Sequence, residues 1–95
     1  MIRISVKYVG HVQGVGFRYT TIEIAKKFAV AGYVQNMLDG SVQAIIEGDK
    51  KEITAFMQAI KERMSRNIET VIKNESEATG EFGEPSSTDT FTIRY

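Results

Sequence analysis

The hydrophobic pattern of the chain changes across the glycine-rich stretch GHVQGVGFRY, residues 10–19. Before it, apolar and polar residues alternate from Ile2 to Tyr8, which is the two-residue period of a strand with one buried face. After it, apolar residues recur at helical spacing over roughly residues 18–30. Glycines let the backbone between two such elements adopt conformations that other residues rarely reach. The pattern therefore predicts a strand, a shaped loop and a helix.

Two turn signals divide the middle of the chain. Gly32 suits the position just after the end of the first helix, where a left-handed backbone is needed. Asp39-Gly40 predicts a hairpin turn between a strand that begins at Tyr33 and a returning strand that ends at Gly48. This part of the chain is thus expected to form an antiparallel pair.

A second helix and two strands complete the predicted order. Asp49 and Glu52 have the spacing of a capping box at the start of this helix. Its apolar stripe consists of Ile53, Phe56, Met57, Ile60 and Met64. We expect a strand over residues 68–73, a polar loop over residues 74–88 and a short final strand that contains the alternating sequence FTIRY.

The element order predicts the fold class. Strand, helix, strand, strand, helix and strand, followed by a short C-terminal strand, is the βαββαβ order of an α+β, ferredoxin-like split βαβ sandwich. In this fold two helices cover one face of a mainly antiparallel sheet. A length of 95 residues predicts a single domain over residues 1–95. The fold hosts many functions, so it does not by itself define an activity.

Composition excludes several classes of site. The chain has no cysteine and one histidine, which excludes disulfides, thiolate catalysis and Cys- or His-rich metal centres. Twelve Lys and Arg balance twelve Asp and Glu, which argues against a nucleic-acid partner. No apolar run approaches the roughly 20 residues of a membrane span, and the N-terminus does not resemble a signal peptide. We expect a cytoplasmic monomer with no membrane or nucleic-acid partner.

The glycine-rich stretch has the features of an anion site. Backbone N–H groups at a helix start have no internal partner, and the helix N-terminus carries a partial positive charge. Glycines permit a concave nest of N–H donors, and the guanidinium of Arg18 offers a fork that matches two phosphate oxygens. The stretch matches neither standard nucleotide-binding loop. A plain tight turn followed by an exposed arginine explains the same residues.

Asn36 is a second candidate, because the predicted topology can bring it to the same end of the sheet as the loop. Its amide can both donate a hydrogen bond to a water molecule and accept one from it. A turn residue that satisfies the local backbone is the competing interpretation.

Two segments of the chain resemble one known family. GHVQGVGFR (residues 10–18) resembles the acylphosphatase signature: glycine, any residue, VQGV, any residue, an aromatic or methionine, and arginine. GYVQNMLDGSVQAIIEG (residues 32–48) resembles the second motif of that family, in which an aromatic residue and a valine precede an asparagine and Asp-Gly opens the next strand. The resemblance extends over essentially the whole chain. Gln35 departs from it, since many members have Arg or Lys there.

The resemblance implies an enzyme that hydrolyses the carboxyl–phosphate anhydride of small acyl phosphates, releasing a carboxylate and inorganic phosphate, with no metal and no organic cofactor. It implies that Arg18 binds the phosphate and that Asn36 orients the attacking water. The phosphate cradle that it implies is the backbone of His11, Val12, Gln13, Gly14, Val15 and Gly16.

Three alternatives stay open. The chain could be a binding module that keeps the anion nest without turnover, although intact Arg18 and Asn36 argue against this. It could be a ferredoxin-like RNA-binding domain, but the sequence lacks the required run of basic and stacking aromatic residues. It could be a carbamoyl-phosphate-cleaving domain of a larger maturation enzyme, whereas the length favours a stand-alone protein.

Overall fold

The computed structural model describes residues 1–86 and 90–95. Its elements, in chain order, are β1 (Ile2–Gly10), α1 (Phe17–Ala25), β2 (Val30–Asn36), β3 (Val42–Gly48), α2 (Lys50–Arg63), β4 (Ile68–Glu77) and β5 (Phe91–Arg94). This order confirms the predicted ferredoxin-like α+β fold. α2, the longer helix, has 14 residues. No helix in the described residues is long and apolar enough to cross a membrane.

The strands form one sheet in the order β4-β1-β3-β2-β5. The central strand, β3, pairs antiparallel with both β1 and β2. β4 pairs antiparallel with β1, whereas β5 pairs parallel with β2. Because β1 and β2 both run opposite to β3, they run in the same direction. Their C-terminal ends therefore lie at the same edge of the sheet, and the segments that follow them are neighbours.

The hydrophobic core lies between the sheet and the two helices, which contact each other. Alternate residues of β1 point into it, namely Ile4, Val6 and Tyr8. The other strands and the helices contribute Val30, Val34, Val42, Ala44, Ile46, Ile24, Ile53, Phe56, Ile60 and Phe91. The alternation seen in the sequence thus corresponds to one buried sheet face, as expected for an antiparallel sheet with helices on one side.

The prediction for the first helix was wrong at its C-terminal end. α1 ends at Ala25, and two hydrogen bonds between residues three positions apart, Lys27 N to Ile24 O and Phe28 N to Ala25 O, close a turn. Gly32 is therefore not a helix cap but a residue of β2. The apolar residue at position 28 matches helical spacing because its ring packs into the core, 5.9 Å from that of Phe56, although α1 has already ended at Ala25.

The predicted capping box is absent, although α2 begins where it was expected. The side chain of Asp49 makes no capping hydrogen bond. The Glu52 carboxylate instead accepts a hydrogen bond of 2.8 Å from the backbone N–H of Ala29. Glu52 therefore satisfies a donor just before β2, which local sequence cannot reveal.

The strand predicted over residues 68–73 continues to Glu77. It pairs with β1 along this whole length, and all its side chains beyond Ile68 are exposed. Backbone pairing, without an apolar face, extends the strand, so the polar residues after position 73 gave no strand signal. A loop was predicted over residues 74–88. Within it, residues 78–86 form neither helix nor strand, apart from one isolated β-bridge between Ser86 and Val30. Residues 87 and 88 lie outside the described part of the chain.

A buried carboxylate organises the sheet face away from the helices. The Glu47 side chain is only 2% exposed. It accepts hydrogen bonds from Arg3 Nε at 2.8 Å, Thr79 N at 2.9 Å and Gly80 N at 3.0 Å. Burial by itself would raise the pKa of Glu47, but the bonds from Thr79, Arg3 and Gly80 together hold the pKa below its usual value. This carboxylate fastens the segment after β4 to the sheet.

We predict that Glu47→Gln destabilises the fold by about 2–3 kcal/mol, because it removes a buried charge from Arg3 and replaces an acceptor oxygen with a donor. Glu81→Gln is the matched control: Glu81 also pairs with Arg3, but its side chain is 55% exposed. We expect Glu81→Gln to lower the free energy of unfolding by less than about 1 kcal/mol. Urea unfolding of both variants measures the difference, and equal losses would contradict the role given to Glu47.

Urea unfolding of the wild type and of Glu47→Gln at several pH values tests the sign of the pH dependence of stability. A carboxylate whose pKa is lowered by folding stabilises the protein above the pKa of the unfolded chain, roughly 4.3 for glutamate. The stability difference between wild type and Glu47→Gln should therefore be constant near neutral pH and shrink as the pH falls below about 4.

Candidate active site

The loop of residues 11–16 joins β1 directly to α1. Gly14 and Gly16 both have a φ of 76°, in the left-handed region that favours glycine, and a Cβ at either position would meet open space. Backbone conformation, and not crowding, therefore requires glycine there. Val12 is buried in the core, and Val15 packs against it. The loop is thus shaped by its glycines and anchored by its valines.

The backbone N–H groups of this loop are available to donate hydrogen bonds to a bound molecule. Between residues 12 and 16, no backbone N–H donates a hydrogen bond to any residue in the described ranges 1–86 and 90–95. Gly16 caps α1 without a side-chain hydrogen bond, and the first turn contains no acidic residue. Since a helix N-terminus carries roughly half a positive charge, the loop and the start of α1 together favour an anion.

Gln13 fastens the loop to the turn between β2 and β3. Its side-chain amide donates hydrogen bonds to Met37 O at 2.7 Å and to Ser41 O at 2.9 Å. Both carbonyls also accept a hydrogen bond from a backbone N–H group within the turn. Ser41 O accepts from Met37 N at 2.9 Å, and Met37 O accepts from Gly40 N at 3.2 Å. One side chain therefore sets the distance between the loop and the end of β2.

Asp39 braces the same turn. Its carboxylate accepts hydrogen bonds from Ser41 N at 2.9 Å and Ser41 Oγ at 2.5 Å, and it pairs with Lys7 Nζ of β1 at 2.6 Å. The contact with Lys7, followed by those with Ser41, lowers the pKa of Asp39 far below its usual value. The predicted Asp39-Gly40 hairpin is confirmed, and its aspartate also ties the turn to β1.

Asn36 ends β2, immediately before this turn. In the sheet it pairs with Val42, which in turn pairs with Tyr8, so the Asn36 backbone lies two strand spacings, about 10 Å, from Tyr8, which is two residues before the end of β1. Its half-buried side chain makes no hydrogen bond with any residue that the structure describes. The amide is therefore free to bind a molecule at this edge.

Arg18 lies in the first turn of α1 and is half-buried. Its guanidinium carbon lies 5.1 Å from the centre of the Tyr95 ring, and it forms no ion pair with the described residues. Tyr95 is held in turn by Gln35, whose amide donates to Tyr95 O at 3.3 Å, and by Tyr19, whose hydroxyl lies 3.4 Å from that of Tyr95. A tyrosine thus orients Arg18 and leaves its charge unneutralised.

Comparison with known proteins identifies the family. A family model described as Acylphosphatase matches residues 4–93. An acylphosphatase of Thermotoga petrophila is 38% identical over 95 residues, covering 100% of this chain and 99% of that protein. This chain belongs to the acylphosphatase family. The family assignment makes it a hydrolase that acts on the acid anhydride of acyl phosphates.

Solved structures agree with this assignment. The crystal structure of acylphosphatase from Bacillus subtilis superposes with a TM-score of 0.82 at 30% identity, covering 100% of both chains. HypF from T. kodakarensis contains a similar unit: the TM-score is 0.74 at 29% identity, over 98% of this chain but 12% of HypF. The family fold therefore occurs in proteins of this chain's length and within a much longer one.

The structure brings the expected acylphosphatase residues to one edge of the sheet. His11, Val12, Gln13, Gly14, Val15 and Gly16 form the loop, Arg18 follows in α1, and Asn36 stands at the end of β2. In the described part of the chain, no group of three His, Asp or Glu side chains could hold a metal ion.

Two contributors to the site were not predicted. Gln13 was expected to act through its backbone, whereas its side chain joins loop and turn. Tyr95 was assigned no role, although it stacks on Arg18. Both contacts join residues 24 or more positions apart, so no local signal could indicate them.

We predict that Gln13→Leu lowers kcat/KM for benzoyl phosphate by about tenfold, because a loop released from the turn no longer holds a fixed position relative to Asn36. Loss of two hydrogen bonds should also cost about 1–2 kcal/mol of stability. Gln58→Ala is the control, since it removes an exposed amide that bonds only Glu62, at 3.1 Å. Unchanged kinetics in a folded Gln13→Leu protein would refute the proposed positioning.

Proposed function

We propose that the loop of residues 11–16, Arg18 and Asn36 form the active site of this acyl phosphate hydrolase. The main support for this proposal is the pair of hydrogen bonds that the Gln13 side chain donates to Met37 O and Ser41 O. These bonds hold the anion-favouring loop beside the turn that follows Asn36. Free donors and a free amide thereby lie at one edge of the sheet.

The loop and Arg18 are assigned to the phosphoryl group. The N–H groups of residues 12–16, which donate to none of the described residues, and the start of α1, which has no side-chain cap, supply donors and positive potential. Arg18 adds a planar fork that can bind two phosphate oxygens. Stacking on Tyr95 restricts the guanidinium without neutralising it, so less freedom is lost when the phosphate binds.

Asn36 is assigned to the attacking water. A side-chain amide can accept one hydrogen bond from a water molecule and donate another to it, which fixes the orientation of the water. β2 is paired with β5 as far as Gln35 and with β3 as far as Asn36 itself, so its last residue has a defined position. Such positioning of a nucleophile is one of the larger contributions that a protein can make to a rate.

The chemistry then needs few other groups. The water oxygen bonds to phosphorus, the bond from phosphorus to the carboxyl oxygen breaks, and the electron pair leaves with the carboxylate. A phosphate oxygen of the substrate takes the proton of the water. Because a carboxylate is a good leaving group, no strong general acid is assigned, and the loop and Arg18 stabilise the charge of the transition state.

We further propose that the chain forms a single domain over residues 1–95 and acts as a cytoplasmic monomer on a small-molecule acyl phosphate, with no metal or organic cofactor. Twelve basic and twelve acidic residues support the absence of a nucleic-acid partner.

The central test is activity on acetyl and benzoyl phosphate in the presence of EDTA. We predict that Arg18→Ala and Asn36→Ala each lower kcat by about 100-fold or more while the protein stays folded. Arg66→Ala and Asn74→Ala are matched controls, because both residues are exposed and remain outside the proposed site. Full activity of Arg18→Ala, or inactivation of the wild type by EDTA, would refute the proposal.

A further inference from the structure

A groove separates α2 from the edge strand β4 on the helix-covered face of the sheet. Its volume is about 450 Å³, within the range of small-molecule sites. Ile4 and Tyr8 of β1, Ile53 and Met57 of α2, and Val71 of β4 line it. α2 does not extend over β4, whose side chains beyond Ile68 are exposed. The groove thus has an apolar floor and is open to solvent on its β4 side.

The rim of this groove is positively charged. Lys50, Lys61, Lys73 and Glu75 are the charged residues among its lining. Lys50 Nζ lies 3.5 Å from Glu75 Oε1 and spans the groove at one end. Lys61 and Lys73 form no ion pair with any residue in the described ranges. Two cations, one on each wall, therefore remain free to bind an anion.

Tyr8 supplies an unpaired polar group in the floor. The residue is 1% exposed, and its hydroxyl is buried with no hydrogen-bond partner, the one such side-chain atom in the described residues. Burial raises the pKa of Tyr8 well above its usual value, so the hydroxyl keeps its proton and can act as a donor. A buried donor without an acceptor costs free energy, which a ligand acceptor atom would recover.

We propose that the groove between α2 and β4 binds an organic carboxylate with an apolar body. The body would lie on Ile4, Ile53 and Val71, the carboxylate would bind Lys61 and Lys73, and Tyr8 would donate a hydrogen bond to one of the two carboxylate oxygens. Charge selects an anion over a cation, and the apolar floor selects a hydrocarbon body over a small inorganic ion. Arg18 and Asn36 do not line this groove, so the site is separate from the proposed active site.

The experiment is an NMR titration of the ¹⁵N-labelled Arg18→Ala protein, in which the proposed phosphate site is disabled, with octanoate and with octylammonium. We expect saturable shifts confined to amides of α2, β4 and β1, the three elements that line the groove, and at least about tenfold weaker binding of octylammonium. Lys61→Gln combined with Lys73→Gln should weaken octanoate binding by about tenfold, and Tyr8→Phe by about fivefold. Lys51→Gln, an exposed residue of α2 outside the groove, should have no effect.

The proposal is overturned if octylammonium binds as well as octanoate, if the lysine double variant binds unchanged, or if the shifts map to residues 11–16. Tyr8→Phe keeps the ring that lies 5.1 Å from Phe17 and removes only the unpaired hydroxyl, so this variant should fold at least as well as the wild type. Since binding is read directly by NMR, the result does not depend on whether Arg18 and Asn36 have the roles proposed above.

Discussion

The antiparallel pairing of the central strand β3 with both β1 and β2 sets the direction of the two strands that lead to the candidate site. It makes β1 and β2 run in the same direction, so the loop after β1 and the turn after β2 emerge together. The side chain of Gln13 then fixes their separation with two hydrogen bonds, and the ion pair of Lys7 with Asp39 ties the turn to β1 a second time. The geometry of the candidate site is therefore a consequence of strand order combined with a few polar contacts.

Much of this fold could be predicted from the sequence because its strongest signals are local. Alternation identifies β1, Asp39-Gly40 identifies the hairpin, and the apolar stripe identifies α2. The errors have long-range causes. The end of α1 was misplaced because Phe28 is buried against Phe56, and β4 was truncated because its polar half is held by backbone pairing with β1. Glu47 was overlooked because its partners, Arg3 and Thr79, are 44 and 32 residues away.

The candidate site, like the fold, could be predicted from the sequence only in part. Loop residues 11–16, Arg18 and Asn36 belong to compact motifs, so a resemblance could indicate them. The contacts that orient them depend on tertiary register: Gln13 reaches across to the β2–β3 turn, and Tyr95 stacks on Arg18 from the far end of the chain. The sequence gives no indication of the groove between α2 and β4, because apolar floor residues are typical of any core and lysines are typical of any exposed surface.

The most direct measurement of the central claim is an NMR titration of the ¹⁵N-labelled wild-type protein with inorganic phosphate. We expect saturable shifts of the backbone amides of residues 12–16 and of the Arg18 guanidinium, with no saturable shift at these amides in Arg18→Ala. The central claim is contradicted if phosphate leaves these amides unshifted, or if the only saturable shifts lie at the lysines of α2 and β4.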